Sequence, residues 1–170
     1  MRPKLGGRGY FESSNKKWYE LWNQRRLDRF KGRKIVTLDN ASRNSFTLDD
    51  GGFLGTTTVY SVILNTADSN LYRFVLGLLN SSTLEYFHKK NTIPQAGGFF
   101  RYQASFIETM PICQAAAAKQ APIIELVGRI LKAKKIDPAA DTATWEREID
   151  HLVYKLYGLS GEEIAVVEAN

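Results

Sequence analysis

The hydrophobic pattern of this 170-residue chain changes its period between residues 64 and 71, and this change constrains the fold more than any other feature. Before the change, residues 56–64 form a run rich in β-branched side chains, which predicts a strand. After it, five apolar residues fall at i, i+3, i+4, i+7 and i+8, the spacing of one helix face. These residues are Leu71, Phe74, Val75, Leu78 and Leu79. Strand and helix patterns in separate blocks predict an α+β fold.

Other short segments of the first two thirds of the chain also have the pattern of strands. Residues 34–38 form a short apolar run, and residues 45–49 alternate between polar and apolar side chains. Asp50, Gly51 and Gly52 follow, and this triplet is typical of a hairpin turn leading into the next strand. Residues 99–107 are predicted to be a further strand, so the fold should contain a small mixed β-sheet with helices.

A second helix is predicted to follow the first after a short interruption. Ser82 and Glu85 have the spacing of a capping box, in which Ser82 bonds forward and Glu85 bonds back. The helix should end near Lys89 and Lys90, since cations are favoured at a helix C-terminus. Residues 91–98 are then predicted to form a loop.

From residue 113 onward the pattern is helical throughout. Pro122 is predicted to occupy the first turn of a long helix, where its missing N–H costs nothing. A break at residues 138–141 separates this helix from another, which Gly158 should end. Ser160 and Glu163 predict a capping box that opens a short terminal helix. The predicted organisation is a flexible segment 1–16, a mixed α/β domain 17–112 and a helical C-terminal extension 113–170.

Composition excludes several classes of protein. The length fits one full-sized domain, or one domain with a helical appendage, and a chain of this size can bury a core without disulfides or metal sites. The single cysteine, Cys113, cannot form an internal disulfide or a cysteine-based zinc cluster, and it predicts a reducing, cytoplasmic location. No apolar run approaches the roughly 20 residues that a membrane-spanning helix needs, so no membrane partner is expected.

The positive charge is concentrated at the front of the chain. The net charge is +5, and residues 1–50 contain 12 Lys and Arg against 6 acidic residues. Residues 51–112 contain 4 against 3, and residues 113–170 contain 7 against 9. A polyanionic partner would therefore meet the N-terminal third. The alternative is an ordinary solvated face.

Residues 97–102, with the sequence Gly-Gly-Phe-Phe-Arg-Tyr, suggest a binding surface. Two glycines allow the backbone to turn tightly or to approach a partner closely. The aromatic rings, the arginine and the tyrosine that follow combine stacking with hydrogen-bond donors. This combination suits contact with nucleic acid better than it suits small-molecule catalysis.

The sequence contains no recognisable catalytic motif. None of its glycine pairs follows a buried strand and opens a helix, as a nucleotide-cofactor turn would require. No Pro-Pro pair is available for the base-holding loop of an amino-group methyltransferase, and no Glu is followed two residues later by Lys, as in many nucleases. His88 and His151 fall on different predicted helices. We therefore predict no catalytic residue, cofactor or metal on this chain, although a small enzyme with an unrecognised site stays open.

Basic and polar residues nominate a DNA-binding surface. Arg25, Arg26, Arg33 and Lys34 form a cluster near Trp18, which could contact phosphates. Isolated polar residues at predicted loops are placed to read base edges, because Arg and Gln bond guanine and adenine. The alternative for each single residue is an ordinary surface group, and the aromatic side chains are expected to support the loops. The candidates are Arg25, Arg26, Arg33, Lys34, Arg43, Asn44, Lys89, Lys90, Gln95, Arg101, Tyr102 and Gln103.

Several segments, in order along the chain, resemble one protein family. The most specific are Leu-Gly-Leu-Leu-Asn-Ser at residues 76–81 and Gly-Gly-Phe-Phe-Arg-Tyr at residues 97–102. Shorter matches are residues 18–26, 34–36, 44–50, 59–63, 110–112 and 148–159. The series resembles the TaqI-like C-terminal specificity domain of adenine-specific DNA methyltransferases and of fused type II restriction–modification enzymes.

The resemblance implies a non-catalytic function. In that family the domain has a mixed α/β fold and recognises the target in double-stranded DNA. A methyltransferase domain, which holds S-adenosylmethionine, precedes it in the same polypeptide. Residues 17–112 would thus be the DNA target-recognition domain, and its partner a methyltransferase or restriction–modification catalytic domain or subunit. Whether the chain is a fragment, a split subunit or a remnant stays open. The alternative function is a protein-interaction or assembly module with little DNA affinity of its own.

Overall fold

The structure is a computed structural model that describes residues 31–52, 55 and 58–170, and these residues contain six strands and six helices. The strands are β1 (Lys34–Leu38), β2 (Asn40–Ala41), β3 (Thr47–Asp49), β4 (Val59–Val62), β5 (Pro94–Gln95) and β6 (Phe99–Arg101). The helices are α1 (Ser69–Leu79), α2 (Ser82–Asn91), α3 (Ala104–Ile107), α4 (Ala117–Ile136), α5 (Ala143–Tyr157) and α6 (Gly161–Glu168). The predicted α+β class is confirmed. The segment 1–16 lies outside the described residues.

The strands form two small antiparallel sheets in the order β3-β1-β4 and β2-β6-β5. Strands β3 and β4 both pair with β1 and lie on opposite sides of it, so the hairpin predicted between them is wrong. The glycine turn itself is present. The Asp49 side chain accepts hydrogen bonds from the N–H groups of Gly51 and Gly52, and Gly51 adopts a φ of 113° that favours glycine.

The second sheet differs from the prediction at both ends. Residues 99–107 are not one strand, because β6 ends at Arg101 and the chain turns into α3. Part of the predicted loop forms β5, which pairs with β6. Gly97 and Gly98 have φ angles of 80° and 78°, so the tip of this hairpin uses backbone conformations that other residues rarely adopt.

Helix α1 confirms the predicted apolar stripe, but the start of α2 differs by one residue. Ser81, not Ser82, caps α2, and its hydroxyl accepts a hydrogen bond from the backbone N–H of Leu84. The capping box predicted from Ser82 and Glu85 is therefore wrong. Ser82 is the first helical residue, and both its N–H and its hydroxyl donate to the carboxylate of Asp150, each at 2.7 Å. Asp150 of α5 thus binds the first residue of α2.

The predicted helices of the extension are present, with one correction. The alanine-rich stretch before Pro122 is helical, so α4 begins at Ala117 and Pro122 lies inside the helix, not in its first turn. Gly158 ends α5 with a φ of 69°, as predicted. The capping box of Ser160 and Glu163 is also confirmed at the start of α6.

One hydrophobic core joins both parts of the chain. It contains Ile35 of β1 and Leu78 of α1 together with Ile123 of α4 and Val153 of α5. At the contact between α1 and α4, a Cβ added to Gly77 would lie 2.6 Å from Cγ2 of Ile123. The glycine therefore allows α4 to approach α1 closely. The boundary predicted after residue 112 stays a prediction.

Candidate nucleic-acid interface

Strand β6 has one face toward the core and one toward solvent. Phe100 packs against the hydrophobic core, and Tyr102, directly after the strand, is fully buried. Side chains alternate along a strand, so Phe99 and Arg101 point to the opposite side. Phe99 is 43% exposed, and the Arg101 side chain is 34% exposed.

The neighbouring strands extend this exposed surface. Gln95 of β5 lies opposite Phe99, and Asn40 of β2 lies opposite Arg101. Residues that are directly opposite in an antiparallel pair share a face. The outer face of the second sheet, as we call it below, therefore consists of Asn40, Gln95, Phe99 and Arg101.

The chemistry of the outer face matches the edges of DNA bases. Arg is suited to bond guanine bidentately, and Asn and Gln are suited to bond adenine in the same way. A ring such as that of Phe99 can contact the methyl group of thymine. A two-stranded β-ribbon fits the major groove. The β5–β6 hairpin is two-stranded at its tip, where Gln95 pairs with Phe99 beyond β2, and its two glycines have no side chain to obstruct the approach.

Arg101 is held from behind by the residue that precedes β2. Its Nη2 lies 3.6 Å from Oδ2 of Asp39, and the Asp39 side chain is only 16% exposed. The Nδ2 of Asn40 donates to the same oxygen at 3.2 Å. The backbone N–H of Tyr102 donates to the Asp39 carbonyl at 2.7 Å, which ties the two chain segments together. Arg101 is therefore oriented on the outer face.

A buried network supports the sheet from below. The Tyr102 hydroxyl donates to Oδ1 of Asn44 at 2.8 Å, and Nδ2 of Asn44 donates to the Leu79 carbonyl at 2.6 Å. The His88 ring stacks on Tyr102 with centroids 4.1 Å apart. Burial, and to a smaller extent the charge on Glu85, raises the pKa of Tyr102, so its hydroxyl stays a donor. Asn44 and Tyr102 were predicted to contact DNA, but both are buried and act as supports instead.

Burial also lowers the pKa of His88. Hydrogen bonding with the backbone of Arg101 and the charge on Glu85 oppose this shift without cancelling it. The lowered pKa favours the neutral form of the His88 ring, which packs on Tyr102 beneath the sheet.

A second amide side chain fixes the loop between β2 and β3. Asn80 accepts from the N–H of Phe46 and donates to its carbonyl, both at 2.9 Å. The N–H of Asn44 in the same loop donates to the Glu85 carboxylate at 3.1 Å. Because both anchors lie at the junction of α1 and α2, this junction fixes the position of the exposed Arg43.

The predicted phosphate cluster is only partly available. Lys34 is fully buried and forms an ion pair with Asp49 across the β1–β3 pair, so the structure removes it from the contacts with phosphate. The Nε of Arg33 lies 2.6 Å from Oδ1 of Asp50 in an exposed ion pair. Arg25 and Arg26 lie outside the described residues.

The remaining candidates surround the second sheet. Lys90 is exposed beside the Tyr86 ring, with Nζ 5.3 Å from its centroid. Lys89 is less accessible, because Nζ lies 2.7 Å from the Glu85 carboxylate and 5.6 Å from the Phe100 centroid. Gln103 is half-buried where α3 begins, and its side chain makes no capping hydrogen bond.

Sequence reasoning missed Asn40 and Asp39. Asn40 lies in β2, which is two residues long and too short for a periodic signal, and Asp39 directly precedes that strand. Its partner β6 lies some sixty positions away, so no local pattern reveals that Asn40 faces Arg101. The only hint in the sequence is that two polar residues directly follow a predicted strand.

A cleft lies between the β2–β3 loop and the C-terminal extension, and two of the charged residues that line it are already hydrogen-bonded. It has a volume of about 360 Å³, and Arg43, Lys134 and Asp150 contribute to its lining. Lys134 donates to the Ala140 carbonyl at 2.7 Å, and Asp150 accepts from Ser82. Burial raises the pKa of Asp150, while the Ser82 hydrogen bonds oppose that shift. Lys134 and Asp150 therefore already have partners, and Asp150 connects the extension to α2.

The exposed side chains of the second sheet are polar apart from Phe99, and Asn40, Gln95 and Arg101 are of types that can bond base edges. The chain belongs to the family of TaqI-like C-terminal specificity domains, whose family model matches residues 7–112. The match includes both sheets and helices α1 to α3. Membership supports a role in DNA target recognition within methyltransferase and restriction systems. In the described part of the chain, no helix is long and apolar enough to cross a membrane.

Proposed function

We propose that this chain selects the DNA target of an adenine-specific DNA methyltransferase or restriction–modification enzyme. The observation that carries the proposal is the outer face, where Asn40, Gln95, Phe99 and Arg101 share one side of the three-stranded second sheet. Family membership supports the same conclusion from the sequence. The chain acts by binding and contributes no bond-making step of its own.

The proposed contacts with DNA are of two kinds, those to base edges and those to phosphates. Asn40, Gln95 and Arg101 read base edges, whereas Arg43 and Lys90, both exposed beside the sheet, contact phosphates. Arg25 and Arg26 are proposed to add phosphate contacts from the basic N-terminal third. Phosphate contacts set the register of the ribbon in the groove, and base contacts discriminate between sequences.

In this proposal a partner domain or subunit carries out the methyl transfer. S-adenosylmethionine and the methyl transfer are assigned to a catalytic domain or subunit, which forms the other side of a cleft around the duplex. A specific protein–DNA interface buries about 1,000–2,500 Å² of protein surface, so the partner also adds contact area and affinity.

The test uses the full chain and a random-sequence duplex library. Affinity measured across a salt series should fall steeply with salt, and selection should enrich one motif. Gln95→Ala should relax the motif at one position, while Arg147→Ala, an exposed change on α5, should leave it unchanged. Absence of binding at low salt would contradict the proposal.

A second candidate function is a protein-interaction module, which an apolar groove favours. The groove lies between α2, α5 and α6, and its lining includes Tyr86, Phe87, Pro111 and Val166, the last 53% exposed. If this is the main function, Val166→Glu should abolish co-purification with the catalytic subunit, and the DNA affinity of the chain should be negligible. Unchanged co-purification would reject this second candidate.

A further inference from the structure

Asp39 and Arg101 form a loose ion pair at the edge of the outer face. The shortest contact between their charged groups is 3.6 Å, which is longer than a hydrogen bond. Oδ1 of Asp39 and Nε of Arg101 are both buried, and neither has a hydrogen-bond partner. An unpaired buried polar atom costs free energy. The free chain therefore keeps a buried acceptor, Oδ1 of Asp39, and a buried donor, Nε of Arg101, without partners on neighbouring side chains.

We propose that Asp39 is a positioning residue that commits Arg101 to reading guanine, and that it prevents Arg101 from acting as a phosphate contact. The inference deepens the proposed function and rests on it. It assigns a base to one position of the target and a role to a carboxylate that does not itself touch the DNA.

The charges of the Asp39–Arg101 pair disfavour contact between Arg101 and a phosphate. A cation contributes to phosphate binding by neutralising charge and releasing counterions. Arg101 already lies beside the carboxylate of Asp39, so the pair carries no net charge and repels phosphate through Asp39. Hydrogen bonding to a neutral base edge needs no net charge. The pairing therefore favours base contact over phosphate contact.

The geometry of the Asp39–Arg101 pair favours one orientation of the guanidinium group. Asp39 is mostly buried and its backbone is tied to Tyr102, so it offers a fixed anchor behind the guanidinium. Arg101 remains one third exposed on the outer face. Guanine presents two acceptors, N7 and O6, to which a guanidinium is suited to donate bidentately. A guanidinium group that is already held in one position loses less conformational entropy on binding than one that is free to move.

The unpaired atoms are explained by the same role. In the free chain the fork and the carboxylate face each other without closing into a bidentate pair. When guanine fixes the outer edge of the guanidinium, Nε can turn toward Oδ1 of Asp39. Base binding thus pairs both buried atoms, and binding to phosphate alone does not require this closure.

The experiment compares the wild-type chain with Asp39→Asn, Arg101→Lys and Arg101→Ala in selection and salt-series assays. The wild type should require guanine at one position, Arg101→Ala should lose that requirement, and Arg101→Lys, whose ammonium also donates to guanine but lacks the planar fork, should weaken it. A bidentate base contact discriminates by roughly 5- to 150-fold. Asp39→Asn should weaken guanine discrimination yet raise affinity for random duplex, steepening the salt slope by about 0.9 for one additional phosphate contact.

A matched control separates this effect from net charge. Arg129 and Glu125 form an exposed ion pair on α4, so Glu125→Gln changes the charge by the same amount away from the outer face. It should leave guanine discrimination unchanged. An equal rise in random-duplex affinity in Glu125→Gln and Asp39→Asn would overturn the proposal. If Asp39→Asn fails to fold, as judged by circular dichroism, Asp39→Glu, which keeps the charge but moves the carboxylate, takes its place, and unchanged guanine discrimination in that variant would overturn the proposal.

The outcomes also separate the inference from the proposed function. A wild-type motif without guanine, or retention of the guanine requirement by Arg101→Ala, overturns the role of the pair and leaves target recognition standing. A uniform loss of affinity on every sequence in Arg101→Ala makes Arg101 a phosphate contact. A wild-type chain that binds DNA and selects no motif overturns both the inference and independent target reading.

Discussion

Gly77→Ala should destabilise the protein, although alanine is normally the better helix residue. The added Cβ would lie 2.6 Å from Cγ2 of Ile123 and 3.0 Å from Cγ2 of Val127, both on α4. Ordinary contacts between carbon atoms are about 3.5–4.0 Å, so α1 and α4 must separate or repack. Overpacking of this kind costs about 1–3 kcal/mol. Replacement of glycine by alanine in a helix recovers about 1 kcal/mol, so the net loss is at most about 2 kcal/mol.

The measurement is urea unfolding, with Gly128→Ala as the matched control. Gly128 is also within a helix, but an added Cβ there meets no atom within 4 Å. Gly128→Ala should stabilise the protein by about 0.5–1 kcal/mol, because only the helix propensity changes. The double variant of Gly77→Ala with Ile123→Ala should lose less stability than the sum of its single variants. Equal stabilisation by Gly77→Ala and Gly128→Ala would refute the close contact.

Three further changes test the supports of the site. Asp150→Ala should lower the free energy of unfolding in urea by about 1–3 kcal/mol, because the N–H and the hydroxyl of Ser82 lose their acceptor. A smaller loss in Asp150→Ala than in Asp150→Asn would contradict the role of this carboxylate in capping α2. The pKa of Asp150 is raised above 3.8, so the stability of the wild type relative to Asp150→Asn should fall as the pH rises from 3.8 through that raised pKa. Tyr102→Phe should cost about 1–2 kcal/mol in thermal unfolding by leaving Oδ1 of Asn44 unpaired, and an unchanged Tm would contradict this. Gly98→Ala, at φ 78°, should cost about 1 kcal/mol, and a neutral result in urea would show that the hairpin tip tolerates other residues.

The helices could be predicted well because their signals are local. The stripe that includes Phe74 and Leu78 falls on one face of α1, and Gly158 ends α5 as its conformational freedom predicts. The exact start of α2 could not be predicted from spacing alone. Ser81 and Ser82 are both good caps, and the carboxylate of Asp150, 68 positions away, binds Ser82.

The strands and the site were harder to predict because their partners are distant in sequence. The turn at Gly51 was identified, yet β3 and β4 both pair with β1, which no local pattern specifies. Of the site residues, Gln95 and Arg101 were found from residue type and loop position. Lys34 and Asn44 were placed on the surface because a charged or amide group usually lies there. Their burial depends on partners that the sequence does not reveal.

The close contact at Gly77 also defines which piece of the chain can be exchanged between relatives. The family match ends at residue 112, but the side of α1 that carries Gly77 is completed by Ile123 and Val127, which come later in the chain. A chimera that exchanges target preference at residue 112 would combine an α1 from one parent with an α4 shaped for another. The transplantable unit therefore includes α4 and α5, and junctions placed after α5 should give the better-folded hybrids.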